Sequence, residues 1–583
     1  MAGRAQPSGG PYGPIQQSYA PPVGAVHVYY VAPDGQADSP GTALAQPTTL
    51  EAAMARVVTG DAIVLRGGTY RTGDLTLNQG ITLQPHADER PVLKGTQVAT
   101  KWEAQSNGLW RTSWARLFPA RPASWWRRER EGKKTPLYRF NNDMVFVDGK
   151  LLRTVGSESE IDAHSYYIDY QAGQVYLGVD PTNRLVEITA FDRALTRTIG
   201  NTHVKPSDRK GPLIRGLTFT QYAFRAIEIE GKNPEGLSDP ATFGKDVVGT
   251  TLEHVTLSYC SRVGGYFRGD KLTIRHCRVS DTSTEGIFIL SSADVLLEKN
   301  IFTRNNIEEI TGYYPAAVKI FNQCHRVTCR DNLVIDQPKS NGIWYDVGNV
   351  DGRFYNNWIE GAIDGFFFEI SKGALCAGNV FVNCDKGIRI LNSRDVHVYH
   401  NTLVNTVASF ERTERGAVPD HFGWHPSTGP GVDERAGHVF VGNLLTADAQ
   451  FAKTLLRFEQ PNALRERLTR PQVTRFDHNV YVRRSDAEAP ALIAWTPAAG
   501  DTGPVAFKAL EELRKLYPNF EASSRHLNRD LGSVFRSPEL GNYELIQAFS
   551  GPAPAEPLPA EVHELLGWPK GHSRFPGAFP LRR

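Results

Sequence analysis

The chain has 583 residues, too many for one ordinary compact core, so it holds either several domains or one elongated repeat. Its 65 basic and 63 acidic side chains leave a formal net charge of +2, which argues against the charged surfaces of nucleic-acid or acidic-membrane binders. With 53 glycines, 37 prolines and only 3 methionines, the composition favours many short strands and turns over long helices, and no run is apolar and long enough to span a bilayer.

In chain order, residues 1–26 are rich in Pro, Gly, Ser and Gln and predict a disordered tail. They lack the apolar stretch of a secretory signal. Residues 27–97 predict an N-terminal cap and first coils: "YYVAPDG", then "TTLEAAMARVVTGDAIVLRGGTY", a short amphipathic helix before a strand. Such a helix can protect the open end of a repeat array. Over 98–211 the period is lost and alternating strands with hairpin turns ("MVFVDGKLL", "YYIDYQAGQVYLGV", "LVEITAFDRAL") predict an inserted β domain. Residues 212–485 carry the main repeat. Residues 486–583 form a C-terminal segment in which "AFKALEELRKLYP" predicts one amphipathic helix.

The repeat is visible as asparagine before an apolar pair, at Asn300, Asn332, Asn357, Asn379, Asn401, Asn443 and Asn479. Between 332 and 401 the spacings are 25, 22 and 22 residues. The residue three before each asparagine is small or apolar (Leu297, Cys329, Phe354, Cys376, Val398), and a Gly-led strand follows each turn. This pattern predicts an all-β fold: a right-handed parallel β-helix, a solenoid, with an inserted β-sandwich-like domain. The asparagines should form a ladder of stacked amides inside one turn. A leucine-rich repeat would need an LxxLxL pattern that is absent. Six cysteines with no CxxC pair make no disulfide scaffold or metal-ligand spacing; Cys329 and Cys376, two coils apart, should be core thiols.

Aligning the strands led by Gly286, Ala317, Gly342, Gly365 and Gly387 puts Ile287/Ile289, Val318/Ile320, Ile343/Tyr345, Phe366/Phe368 and Ile388/Ile390 inside. Alternation then turns two rows outward: Phe288, Lys319, Trp344, Phe367, Arg389 and, beside it, Leu290, Phe321, Asp346, Glu369, Leu391. Two acids thus become neighbours on adjacent coils, separated by about one strand spacing, 4.7–4.9 Å. Retaining glycosidases hold their carboxyls about 5–5.5 Å apart and inverting ones about 6.5–9.5 Å, so the coil spacing matches the retaining arrangement. Close like charges would leave one acid protonated. Trp344 offers a flat face for a sugar ring. The same residues are also compatible with an ordinary surface pair neutralised by Lys319 and Arg389; a calcium site would want more oxygen ligands.

The layout of "AAVKIF", "GIWYD" and "GFFFEIS" resembles the β-helical glycoside hydrolases of families 120 and 141, and the resemblance extends to the "YYVAPDG" start and the "MVFVDGK" insert. In family 120, the β-xylosidases, the matching Asp is the nucleophile and the matching Glu the acid/base. The resemblance therefore implies a retaining glycoside hydrolase, an exo-acting enzyme on xyloside-, arabinoside- or fucoside-like substrates, with Asp346 as nucleophile and Glu369 as acid/base. It implies an oligosaccharide or polysaccharide as partner, a secreted or periplasmic location and no cofactor. Where relatives often follow the Glu strand with His-Gly, this chain has "SKGA", which brings Lys372 to that subsite. Lys319, Trp344, Phe367, Arg389, Tyr313, Tyr314, Lys372 and Trp424 complete the expected substrate-binding set, Trp424 from the long loop "DHFGWHP" that could wall a cleft. "SWWRRERE", with Trp125 and Trp126, is a weaker sugar-stacking candidate. Two other uses of such a solenoid stay open: a polysaccharide lyase using Lys319 or Arg389 as base, and a non-catalytic carbohydrate-binding solenoid.

Overall fold

The computed structural model describes residues 10–120, 135–234, 236–310, 315–337, 339–415, 431–484, 489–496, 504–546, 558–568 and 575–579. Among the described residues, three sheets of 13 strands each follow one another coil by coil. One coil contributes one strand to each, as in Val350–Tyr355, Trp358–Glu360 and Asp364–Glu369 for the first, second and third sheet. Strands of successive coils pair in parallel along every sheet, except for the last pair of the third sheet, Ile493–Trp495 with Val505–Phe507, which is antiparallel. The fold is a parallel β-helix.

The asparagines stack as the spacing predicts. Asn300, Asn332, Asn357, Asn379, Asn401 and Asn443 each donate from Nδ2 to the Oδ1 of the next rung, at 2.9–3.2 Å. The same oxygens also accept the backbone N–H of the preceding rung. The second amide hydrogen goes back to a carbonyl one coil earlier, from Asn357 to Cys329 O and from Asn379 to Phe354 O. Every hydrogen-bonding group of a rung is used, which lets a polar row sit fully buried. At the C-terminal end, Asn479 donates to Ser524 Oγ and to Glu521 Oε1.

Inside, apolar residues of all three sheets form one continuous core. All six cysteines are free and buried, with Cys329 and Cys376 flanking Phe354 in one stack. The helix Leu50–Arg56 closes the N-terminal end: Thr49 caps it by accepting from Ala52 N, and Leu50, Ala53 and Met54 enter the core. The helix Leu510–Leu516 does the same at the other end with Leu510 and Leu513. A further helix, Ala560–Leu566, packs outside the first sheet on Tyr355, Tyr399 and Val441.

Two expectations about organisation need adjusting. Residues 10–26, expected as disordered tail, lie along the outside of the coils: Gly13 N donates to Lys299 O, Ile15 N to His254 Nδ1 and Tyr19 N to Ala87 O. A segment too polar to build a core of its own can still use the carbonyls that a ready-made surface offers. The insert begins and ends earlier than 98–211. It interrupts a single coil after Pro91–Lys94 and returns at Arg193–Arg197, which pairs in parallel with Leu75–Leu77 and Arg225–Ile229. Between these points, one sheet of four strands and one of five, largely antiparallel, enclose Val145, Tyr166, Val175, Leu177 and Ile188.

Candidate functional site

The third sheet brings the two acids together. Asp346 ends the strand Asn341–Asp346, Glu369 ends Asp364–Glu369, and the two are direct partners in the parallel ladder. The outward rows follow the expected register: Lys319, Trp344, Phe367 and Arg389 are successive partners, as are Phe321, Asp346, Glu369 and Leu391. Each acid is followed by a β-branched residue in the left-handed region, Val347 (φ 45°) and Ile370 (φ 43°). That conformation costs about 1–3 kcal/mol for such residues. Both side chains pack with Val432, from the chain beyond the long loop.

Both carboxylates are nearly enclosed, at 4% exposure each. Lys319 Nζ lies 3.2 Å from Asp346 Oδ2. Trp344 Nε1 donates to Glu369 Oε2 at 3.1 Å, and Arg415 Nη1 bonds Glu369 Oε1. Burial, and then the charge of Asp346, push the Glu369 carboxyl well above the ordinary carboxylate range, against the opposing pull of Arg415, Arg389 and Lys319. Burial beside a second acid thus favours the protonated form of Glu369, while Arg415 favours the ionised one.

Trp344 does not offer a flat face. Lys319 Nζ sits 4.0 Å from its ring centroid, and Phe367 stacks with it at 4.7 Å and 19°. Arg389 in turn lies 4.6 Å over Phe367. Equivalent positions on consecutive coils stack face to face at roughly strand spacing, so a cation, two aromatic rings and a cation fill the row in order.

Arg389 is held on the side away from Trp344. It donates to Asp364 Oδ2 at 3.0 Å and to Glu411 Oε2 at 3.0 and 3.1 Å. Lys386 and Ser409 donate to Glu411 Oε1 at 2.6 and 2.8 Å. Burial raises the Asp364 carboxyl despite Arg389. Burial works on Glu411 in the same direction, but Arg389 and Lys386 outweigh it and hold that carboxyl low. Lys372 opens the next strand, in the first sheet between Val350 and Arg394, around the corner from the acids. Tyr313, Tyr314, Trp424, Trp125 and Trp126 lie outside the described residues.

Sequence reasoning missed four charged residues near the pair. Asp364 and Lys386 stand directly before the strand-leading glycines, and Glu411 continues the acid row, paired with Leu391. Its strand, "VASFE", lacks the leading Gly that marked the others. Arg415 lies outside every repeat, and no positional signal points to it. Among the described residues, no three His, Cys, Asp or Glu side chains gather as a metal ion would need.

Residues 241–403 match the family model of the right handed beta helix region. A search of curated proteins finds no match. Among solved structures, the complex of XylC with xylose is 14% identical, covering 82% of this chain and 86% of its own, with a TM-score of 0.55. A glycoside hydrolase is 12% identical over 66% and 94% of the two chains, with a TM-score of 0.44. The pectate lyase Pel9A is 13% identical over 75% and 78%, with a TM-score of 0.34. At such identities the likeness to XylC is one of fold, a right-handed β-helix.

Proposed function

We propose that the chain is a retaining glycoside hydrolase in which Asp346 is the nucleophile and Glu369 the acid/base. One observation carries this: two outward carboxylates, direct partners on adjacent coils, of which one is driven to hold its proton. In the first step an Asp346 oxygen attacks the anomeric carbon as the glycosidic C–O bond breaks. The electron pair stays on the leaving oxygen, which takes the Glu369 proton. In the second, Glu369 removes a proton from water, the water oxygen attacks the same carbon, and the Asp346 ester bond breaks. Lys319 and Trp344 position the two carboxylates. The paired charges of Asp364, Arg389, Lys386 and Glu411 form a polar floor suited to sugar hydroxyls.

XylC is seen with xylose, so an aryl xyloside heads a substrate panel with arabinoside, fucoside, galactoside and glucoside. The product of early hydrolysis, followed by NMR, should keep the substrate's anomeric configuration. An inverted product would refute the pairing, and an ultraviolet-absorbing unsaturated sugar would identify a lyase. Added azide should rescue Glu369→Ala on an activated aryl glycoside with retained configuration, because the small anion replaces base-assisted water in the second step.

A further inference from the structure

Both oxygens of Glu369 are already engaged, Oε2 by the Trp344 indole and Oε1 by the Arg415 guanidinium. A carboxylate accepts both bonds readily. A carboxylic acid bears its proton on one oxygen, and that oxygen turns from acceptor to donor. The protonated oxygen is a much weaker acceptor, so the donor that holds it competes with the proton, and loosening that donor favours the acid form of Glu369. Trp344 has no room to leave: its ring is fixed between Lys319 and Phe367, on a strand paired at both edges.

Arg415 is differently placed. It lies beyond the strand Val407–Glu411, outside any sheet, with its side chain 29% exposed. Its backbone is pinned, since its carbonyl accepts from Asn392 Nδ2 at 3.1 Å and from Arg435 Nη2 at 2.9 Å. Only the side chain has to rotate. The other charges that act on Glu369 are Asp346, Arg389 and Lys319, all set on paired strands of the third sheet.

We infer that Arg415 is a positioning residue that governs when Glu369 carries its proton, and that the proton resides on Oε1, the oxygen the guanidinium vacates. The inference rests on the acid/base reading of Glu369. The glycosidic oxygen takes the place beside Oε1. The Glu369 O–H bond breaks as the new O–H bond forms on the leaving group, and the guanidinium faces the carboxylate charge that appears.

The basic limb of the kcat/KM profile reports the acid in the free enzyme, and that of kcat reports it in the complex. Arg415→Gln should raise the kcat/KM limb by about one pH unit, the order expected on removing an adjacent opposite charge. The kcat limb should move by less than half as much, because Arg415 has already withdrawn there. Arg415→Lys, which keeps the charge but loses the fork, should shift the kcat/KM limb in the same direction by a smaller amount, and serves if the Gln variant does not fold. A merely structural arginine would lower kcat and leave both limbs in place; that result, or a downward shift, overturns the inference. Glu369→Gln separates the two claims. If it keeps the wild-type limb on a natural glycoside, the acid/base reading itself fails. If it loses the limb while Arg415→Gln leaves it unmoved, only the role of Arg415 falls.

Discussion

The asparagine row and the carboxylate row are made by the same operation, the placing of one residue above its equivalent at each turn of the coil. The outcomes are opposite because the groups differ in what they can exchange. An amide both donates and accepts, so Asn357 gives a bond to Asn379 and takes one from Asn332, and each added rung satisfies the last. A carboxylate only accepts, so Asp346 and Glu369 in the same relation repel, and one of them must hold a proton or recruit cations. Stacking thus stabilises the first row and opposes the second, which cations must offset.

The largest expected effect breaks the second row. Asp346→Ala should abolish turnover of every glycoside, by on the order of 10⁴-fold or more, while circular dichroism and melting stay near wild type. Retained turnover would place the chemistry elsewhere.

Asn357→Asp imports the logic of the carboxylate row into the ladder. It removes the donors to Cys329 O and Asn379 Oδ1 and buries a charge. At neutral pH it should cost about 3–5 kcal/mol, more than Asn357→Ala, and recover as the pH falls and the new carboxyl is protonated. Urea denaturation at two pH values tests this; an Asp variant as stable as the Ala variant at both would show that rung identity is unimportant.

The ladder's end gives a smaller, pH-dependent effect. Glu521 accepts from Asn479 Nδ2 at 3.1 Å and Tyr481 OH at 2.6 Å, and burial pushes its carboxyl up to about 7. An unfolded glutamate titrates near about 4.3. Between those values the folded state keeps a proton the unfolded state has released, so stability falls as pH rises through that window and levels off above it. Glu521→Gln should flatten this part of a melting-temperature profile. An unchanged slope would assign it to another group.

The smallest effect sharpens the acid row alone. Trp344→Phe keeps a smaller aromatic ring between Lys319 and Phe367 and removes the donor to Glu369 Oε2. Turnover of a natural glycoside should fall roughly 10-fold, the worth of one such bond. A loss as large as that of Asp346→Ala would mean the ring does more than orient Glu369.

The sequence displays the axial direction of this molecule well. Asparagine spacing sets the coil, and alternation within five aligned strands, four led by Gly and one by Ala317, is enough to pair Asp346 with Glu369 and Lys319 with Trp344. It displays poorly whatever leaves the period. Arg415 reaches the site from an arm with no counterpart in other coils. The strand Arg193–Arg197 sits next to the insert and shares its alternation, so only pairing with Leu75–Leu77 reveals it as solenoid. Trp344 shows a different gap: its outward direction is legible, but its faces are closed by neighbours 25 residues before and 23 after in sequence, a consequence of stacking that a single strand does not express.

The rungs of the ladder are separated by 32, 25, 22, 22, 42 and 36 residues, yet adjacent amides bond at 2.9–3.2 Å throughout. Insertions of up to about 20 residues leave and rejoin the coil without altering its pitch, and loop closure over such lengths costs little. Length variation and axial spacing are thereby independent variables in this architecture. The walls around a stacked pair can be lengthened, trimmed or exchanged for another lineage's loops while the separation of the two acids stays set by the strand spacing. Under the proposed function, substrate range can then diverge by insertion and deletion with the reaction itself held constant.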